Sequence, residues 1–224
     1  MATPLPQILS NLHAAAEAAG RPDPRLLAVS KTQPAEAVAA RATGAAAFGE
    51  NYVQEALAKM QALQHLALEW HLIGHLQSNK ADAVASHFDW VQSVDRPKLV
   101  TALARHRPAA RGPLNVLIQV NIDDESSKHG CAPEEVDVLA AAIAAEPTLR
   151  LRGLMAIPAP WPEAERRRDA FVRMRTLFQS LAAQHTQIDT LSMGMSSDYA
   201  EAIAEGATLV RIGTALFGAR PRPA

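Results

Sequence analysis

At 224 residues the chain fits one large domain or two small ones, long enough to bury an ample core without covalent staples. Its 22 Lys and Arg against 23 Asp and Glu leave a net charge of −1, which excludes the basic field that recruits nucleic acid or an anionic membrane. The single cysteine, Cys131, excludes an internal disulfide framework and fits a reducing cytoplasmic setting, and no apolar run approaches the roughly 20 residues of a membrane span.

The first stretch, MATPLPQILSNLHAAAEAAG, has no basic region ahead of its apolar residues, so no export leader is expected. It reads as a helix over about 5–19. Short Val/Ile/Leu-rich runs then alternate with Ala-rich segments of helical period. In order the runs are LLAVSK, AAAFGE, EWHLIGH, WVQSV, LNVLIQVNI, LRLRGLMAI, TLSMG and LVRIG. Between them the periodicity predicts helices at about 34–42, 51–65, 77–86, 96–106, 133–145, 163–184 and 196–204. Nearly continuous apolar strands separated by amphipathic helices indicate a parallel sheet covered by helices. Eight such units predict an α/β fold, a single closed (β/α)8 TIM barrel over residues 1–224 with an extra N-terminal helix. An open doubly wound sheet is the competing architecture. No linker, low-complexity tract or charge block marks a second domain. The Pro-rich stretch IPAPWPEAERRR reads as one loop entering a helix.

In a TIM barrel the working face lies at the C-terminal ends of the strands. Lys31, Gly49-Glu50-Asn51, His75, Asn121, Met193-Gly194 and Gly213-Thr214 close strands there and are expected to converge on one mouth. Lys59, Lys80 and Lys98 fall within helical segments and read as solvated. Lys128, in the loop DDESSKHG, is within reach of the mouth. A lysine at the end of a buried strand loses hydration, its amine pKa falls, and the neutral amine becomes a nucleophile for carbonyls. Lys31 is therefore a Schiff-base candidate, against the bland reading of a side chain snorkelling to water. After strand 7, Ser196 stands where it would N-cap the next helix; after strand 8, Gly213-Thr214 opens a short helical turn. Loops at these two places often hold a phosphate in TIM barrels, although turn chemistry alone also uses Gly and Ser. An amine beside a phosphate cradle suggests a phosphorylated aldehyde. His71 and His75 share a face four residues apart, but no carboxylate ligand stands at suitable spacing, so no metal is expected and His71 reads as a satisfied core histidine.

The segments LLAVSKTQP, FGENYVQE, EWHLIGHLQSNK, NVLIQVNIDDESSKHG, LRGLMAIP, LSMGMSSDYAEAI and VRIGTALFGAR closely resemble the pyridoxal phosphate homeostasis protein family, in collinear order from about Leu26 to Arg220. The resemblance implies a fold-type III barrel, like that of alanine racemase, carrying pyridoxal 5′-phosphate (PLP) as an internal aldimine on Lys31. It implies that Arg211 meets the pyridine nitrogen and that Ser192, Ser196, Gly213 and Thr214 bind the phosphate. Asn51 and His75 would line the ring or its oxygen substituent. Two positions depart from the family pattern: His75 stands where proline is common, and Ser197 where aspartate is expected, with Asp198 keeping a carboxylate nearby.

The implied role is intracellular PLP (vitamin B6) homeostasis without substantial turnover and without a catalytic residue, by a monomer whose partners are PLP and PLP-dependent apoenzymes. A fold-type III PLP enzyme, such as an amino-acid racemase, is the alternative, and a Schiff-base aldolase without PLP a distant third. Racemisation needs an acid/base on both faces of the substrate carbanion. The chain holds two tyrosines, Tyr52 at the start of the 51–65 helix and Tyr199 within the 196–204 helix, and neither has the origin expected of a second base.

Overall fold

The computed structural model describes residues 2–125 and 129–218. Lys128 lies outside the described residues.

Eight parallel strands pair in chain order and close into a barrel: β1 (Arg25–Val29), β2 (Ala47–Glu50), β3 (Glu69–Leu72), β4 (Trp90–Val94), β5 (Leu114–Val120), β6 (Leu149–Ala156), β7 (Thr190–Ser192) and β8 (Leu209–Ile212). Closure is made by β8 on β1, with Arg25 through Ala28 opposite Leu209 through Ile212. Helices α1 (Leu5–Ala18), α2 (Ala35–Ala39), α3 (Val53–Ala62), α4 (Ala81–His87), α5 (Pro97–His106), α6 (Val136–Ala144), α7 (Ala164–Gln184), α8 (Tyr199–Ala204) and α9 (Thr214–Phe217) cover it. The extra N-terminal helix, α1, buries Ile8, Leu12 and Ala16, one face at a spacing of four, and packs on α8 and α9. Among the described residues no helix is long and apolar enough to cross a membrane.

Several elements are shorter than the apolar and periodic runs suggest. The 77–86 segment divides into a 3-10 turn at Ser78–Lys80 followed by α4. The helix expected from 196 begins only at Tyr199, because Asp198 Oδ1 accepts from the Met195 N–H at 2.6 Å and holds residues 195–198 in a turn. Strand β3 stops at Leu72, so His75 sits on a loop rather than on the strand with His71. Gly74 makes that loop possible, since a Cβ there would lie 2.2 Å from the Asn51 carbonyl oxygen.

The strands bury side chains on both faces. Outward residues such as Phe48, Leu72, Val116, Leu154 and Val210 pack under the helices in one large apolar cluster. Each fully buried Leu or Phe contributes about 1.5–3 kcal/mol relative to exposure, so the layer holds without cross-links. Leu27, Ala47 and Leu209 form a second small cluster, and Trp90, Leu117 and Met155 a third. Between these sit buried polar groups, Glu50, His71, Gln92, Ser192 and Arg211, whose burial demands hydrogen-bond partners.

Candidate functional site

At the C-terminal ends of the strands lies a cavity of about 470 Å³, lined by Lys31, Asn51, Ser196, Arg211, Gly213 and Thr214, with apolar walls from Val29, Ile73 and Ile157. Six of the eight residues singled out from sequence thus share one wall system. His75 opens instead into an adjoining lobe of about 250 Å³, which shares Asn51, Ile73 and Ile157 with the first and adds Asn121, Gln119 and His129. Ser192 is fully buried and stands behind Arg211, and it is not among the residues that line the cavity.

Lys31 follows β1 by two residues and is held from both sides. The Ser30 carbonyl accepts from Lys59 Nζ at 2.7 Å, and the Thr32 N–H donates to Glu55 Oε1 at 2.6 Å. Lys59 Nζ also donates to Glu55 Oε1 at 2.6 Å and to Glu50 Oε1 at 2.7 Å, while Ser30 Oγ donates to the same Glu50 oxygen at 2.6 Å. Thr32 has φ +65°, a left-handed conformation that costs a β-branched residue about 1–3 kcal/mol and persists only where its surroundings impose it. The carboxylate of Glu55 is that constraint. Lys59, read from its helical position as solvated, is buried: it lies on the α3 face turned to the barrel, and periodicity alone does not reveal that two carboxylates meet it there. Burial raises the Glu50 carboxyl above its ordinary pKa, tempered by the Lys59 and Ser30 hydrogen bonds.

Arg211 ends a directed line of hydrogen bonds across the barrel interior. Its Nη1 donates to Ser192 Oγ at 2.7 Å, and Ser192 Oγ donates to Gln92 Oε1 at 2.7 Å. Gln92 Nε2 then lies 2.9 Å from His71 Nδ1, and His71 Nε2 lies 2.7 Å from Glu69 Oε1, which Arg25 Nη2 reaches at 2.7 Å. With Gln92 donating, His71 accepts at Nδ1 and carries its proton on Nε2, so it is a neutral imidazole. Burial lowers the His71 pKa against the opposing pull of Glu69. Glu69 is itself raised by burial, but the His71 hydrogen bond and the Arg25 guanidinium outweigh this and hold its carboxyl well below the usual range. His71 is therefore the satisfied core histidine the sequence suggested, not a ligand. A second bond, from Arg211 Nη2 to the Ala156 carbonyl at 2.8 Å, completes the fixing of the guanidinium. Burial lowers Arg211 to about 10, offset in part by Asp198, which leaves it charged at neutral pH.

The two loops expected to cradle an anion are tied together. Ser196 does not cap α8; its Oγ accepts from the Ala215 N–H at 3.4 Å and links the loop after β7 to the corner after β8. Gly213 approaches Val29 so closely that a Cβ would meet it at 3.3 Å.

A larger cleft of about 630 Å³ lies beside α7, where Arg173 pairs with Asp123 and Asp169. Cys131 is buried and its thiol is pushed up to about 12, chiefly by burial, so it is inert. Tyr52 projects outward ahead of α3 and Tyr199 opens α8; neither lines the cavity or its adjoining lobe.

A parallel barrel with its cavity at this end defines a class first: the profile of the alanine racemase N-terminal domain matches residues 4–221, and the chain belongs to that family of barrels. Within it, the pyridoxal phosphate homeostasis protein of Pseudomonas aeruginosa is 55% identical over 218 residues, covering 96% of this chain and 93% of its own length. The chain belongs to the pyridoxal phosphate homeostasis protein family. The solved structure of PipY from Synechococcus elongatus with PLP bound is 37% identical, with a TM-score of 0.80 over 94% of this chain and 100% of that one. Alanine racemase from Corynebacterium glutamicum has a TM-score of 0.70 at 21% identity, over 98% of this chain and 63% of that one, a likeness of fold.

Proposed function

We propose that this protein binds PLP in the cavity at the barrel mouth, with Lys31 as the attachment point, and serves cellular PLP homeostasis rather than turnover of a substrate. The observation that carries the reading is the single cavity that joins an amine, a buried guanidinium and a Gly/Ser/Thr corner, a donor set matching an aldehyde, a pyridine nitrogen and a phosphate. When bound, PLP supplies an aldehyde that condenses with amines and a ring that withdraws electrons. Ser196, Gly213 and Thr214 provide hydroxyl and backbone donors for the phosphate, and Asn51 an amide for the ring's oxygen substituent. Relatives of this chain bear the homeostasis name, and PipY carries PLP in its solved structure.

The absence of turnover follows from Arg211 and from what faces Lys31. A guanidinium only donates, so it keeps an opposing pyridine nitrogen unprotonated and the ring a weak electron sink. Neither tyrosine lines the cavity, so a racemase would have to recruit an imidazole of the adjoining lobe as its second base. The protein then buffers the reactive aldehyde and passes it to PLP-dependent apoenzymes. The test is an assay for racemisation, transamination and decarboxylation with each common L- and D-amino acid. Rates no greater than those of free PLP are expected; turnover that disappears in Lys31→Ala would establish an enzyme instead.

A further inference from the structure

Two imidazoles of the adjoining lobe, His75 and His129, stand outside the Lys31 cavity and beside the carboxylate of Asp95. His75 follows Gly74 on the loop after β3, Asp95 directly follows β4, and His129 precedes Gly130 where the chain returns beside β5. The imidazoles of His75 and His129 stack, with centroids 3.7 Å apart and planes 16° apart. Asp95 Oδ2 lies 3.9 Å from His75 Nδ1, and one ligating atom from each of the three residues falls within 4.8 Å of the others. Asp95 is aimed: Arg96 Nη1 holds its other oxygen, Oδ1, and Arg96 Nη2 is bonded to the Leu76 carbonyl at 2.9 Å. The backbone of His129 is anchored: Gln119 Nε2 donates to its carbonyl at 2.9 Å, and Gly130 beside it has φ +128°, where a Cβ would lie 2.6 Å from the Asn121 nitrogen. Spacing along the chain hides this grouping, since its members come from three strand ends. It supplies the carboxylate that sequence inspection found wanting beside His75.

Two imidazoles lining an open lobe, with one carboxylate grouped beside them, are the donor set of open zinc sites and of 2-His-1-carboxylate centres. Zinc bonds of about 2.0–2.2 Å place ligand atoms about 3–3.5 Å apart, so the group must contract, which the exposed imidazoles achieve by turning out of their stack. Arg96 opposes a cation but is spent on one carboxylate oxygen and a carbonyl. We propose that His75, Asp95 and His129 form a binding site for a borderline divalent transition-metal ion of the zinc type, its remaining positions open to the lobe beside the Lys31 cavity.

The test is calorimetric titration with zinc, together with visible absorption on titration with cobalt(II). Both are run on the protein as purified and again after hydroxylamine has stripped any bound aldehyde, which would itself chelate metal. One ion per chain is expected in both states, with cobalt bands of a site of low coordination number. His75→Ala, His129→Ala and Asp95→Asn should each weaken binding by at least the roughly 10–100-fold that even outer-shell partners cost. His106→Ala, which removes an exposed imidazole 3.8 Å from Asp82, should leave it unchanged. Circular dichroism of each variant separates lost ligation from lost fold, and His75→Gln provides a gentler second variant. Absence of saturable binding, or binding that survives all three ligand changes or falls equally with His106→Ala, would overturn the proposal.

Discussion

Ser192 Oγ accepts a 2.7 Å hydrogen bond from Arg211 Nη1 inside the barrel and donates its own to Gln92 Oε1, also at 2.7 Å. The bond helps orient a buried guanidinium that lines the cavity. Ser192→Ala removes the acceptor and leaves both Arg211 and Gln92 short of a partner. The expected cost is about 1–3 kcal/mol of stability, with weaker PLP binding. Denaturant unfolding checks it, and an unchanged midpoint would show that the line of bonds does not constrain the arginine.

His71 gives the protein a pH dependence. In the unfolded chain its pKa is the ordinary 6.5, and burial lowers it in the native state. Between the two values the unfolded chain binds a proton that the native protein does not. Stability is therefore full above about 6.5 and falls as the pH drops through the window below it. Glu69, also lowered, adds a further loss at more acidic pH, below the ordinary carboxylate value of 4.5. In His71→Gln the part of the decline that begins near 6.5 should shrink, as read from unfolding midpoints at a series of pH values. Identical profiles for the two proteins would contradict the neutral assignment.

Lys59 sits between two carboxylates under the Lys31 turn. Lys59→Met leaves Glu50 and Glu55 facing one another without their cation, and removing one partner of a buried pair costs about 3–5 kcal/mol. Pairing it with Glu50→Gln should recover part of the loss, because the fully buried member is then neutral. PLP affinity should fall in the single variant, since Ser30 and Thr32 lose their shared anchor. A loss below about 1 kcal/mol, the range of surface pairs, would mean the clamp is incidental.

The phosphate corner predicts discrimination between PLP and pyridoxal. Each hydrogen bond to a charged group contributes about 1.5–3 kcal/mol, so removing the phosphate should weaken binding by about tenfold or more per bond lost. Ser196→Ala should weaken PLP and leave pyridoxal nearly unchanged. Similar affinities for the two ligands in a fluorescence titration would show that the corner is turn chemistry alone.

Much of this architecture was legible in the sequence because strand-length apolar runs and helical periods alternate eight times, and barrel topology then dictates where strand ends meet. Lys31, Arg211, Ser196 and Gly213-Thr214 come together for that reason. The burial of Ser192 behind Arg211 is not legible in the sequence, because its direction depends on where β7 sits against β8, to which it is joined by the single pair Ser192 and Leu209. Lys59 was misread because one helical face meets either water or the barrel, and the choice rests on Glu50 and Glu55. Gln92 carries no motif, and its role appears only when His71 and Ser192 are seen at its two ends. The grouping of His75, Asp95 and His129 spans three loops and has no local signature.

The central claim is that Lys31 carries PLP, and borohydride reduction of the PLP-loaded protein followed by peptide mapping tests it most directly. The reduced label is expected on Lys31, with Lys31→Ala folding normally, losing the visible absorbance of the loaded protein and taking up no label. Label confined to another lysine, such as Lys128, or full labelling of Lys31→Ala would contradict the assignment.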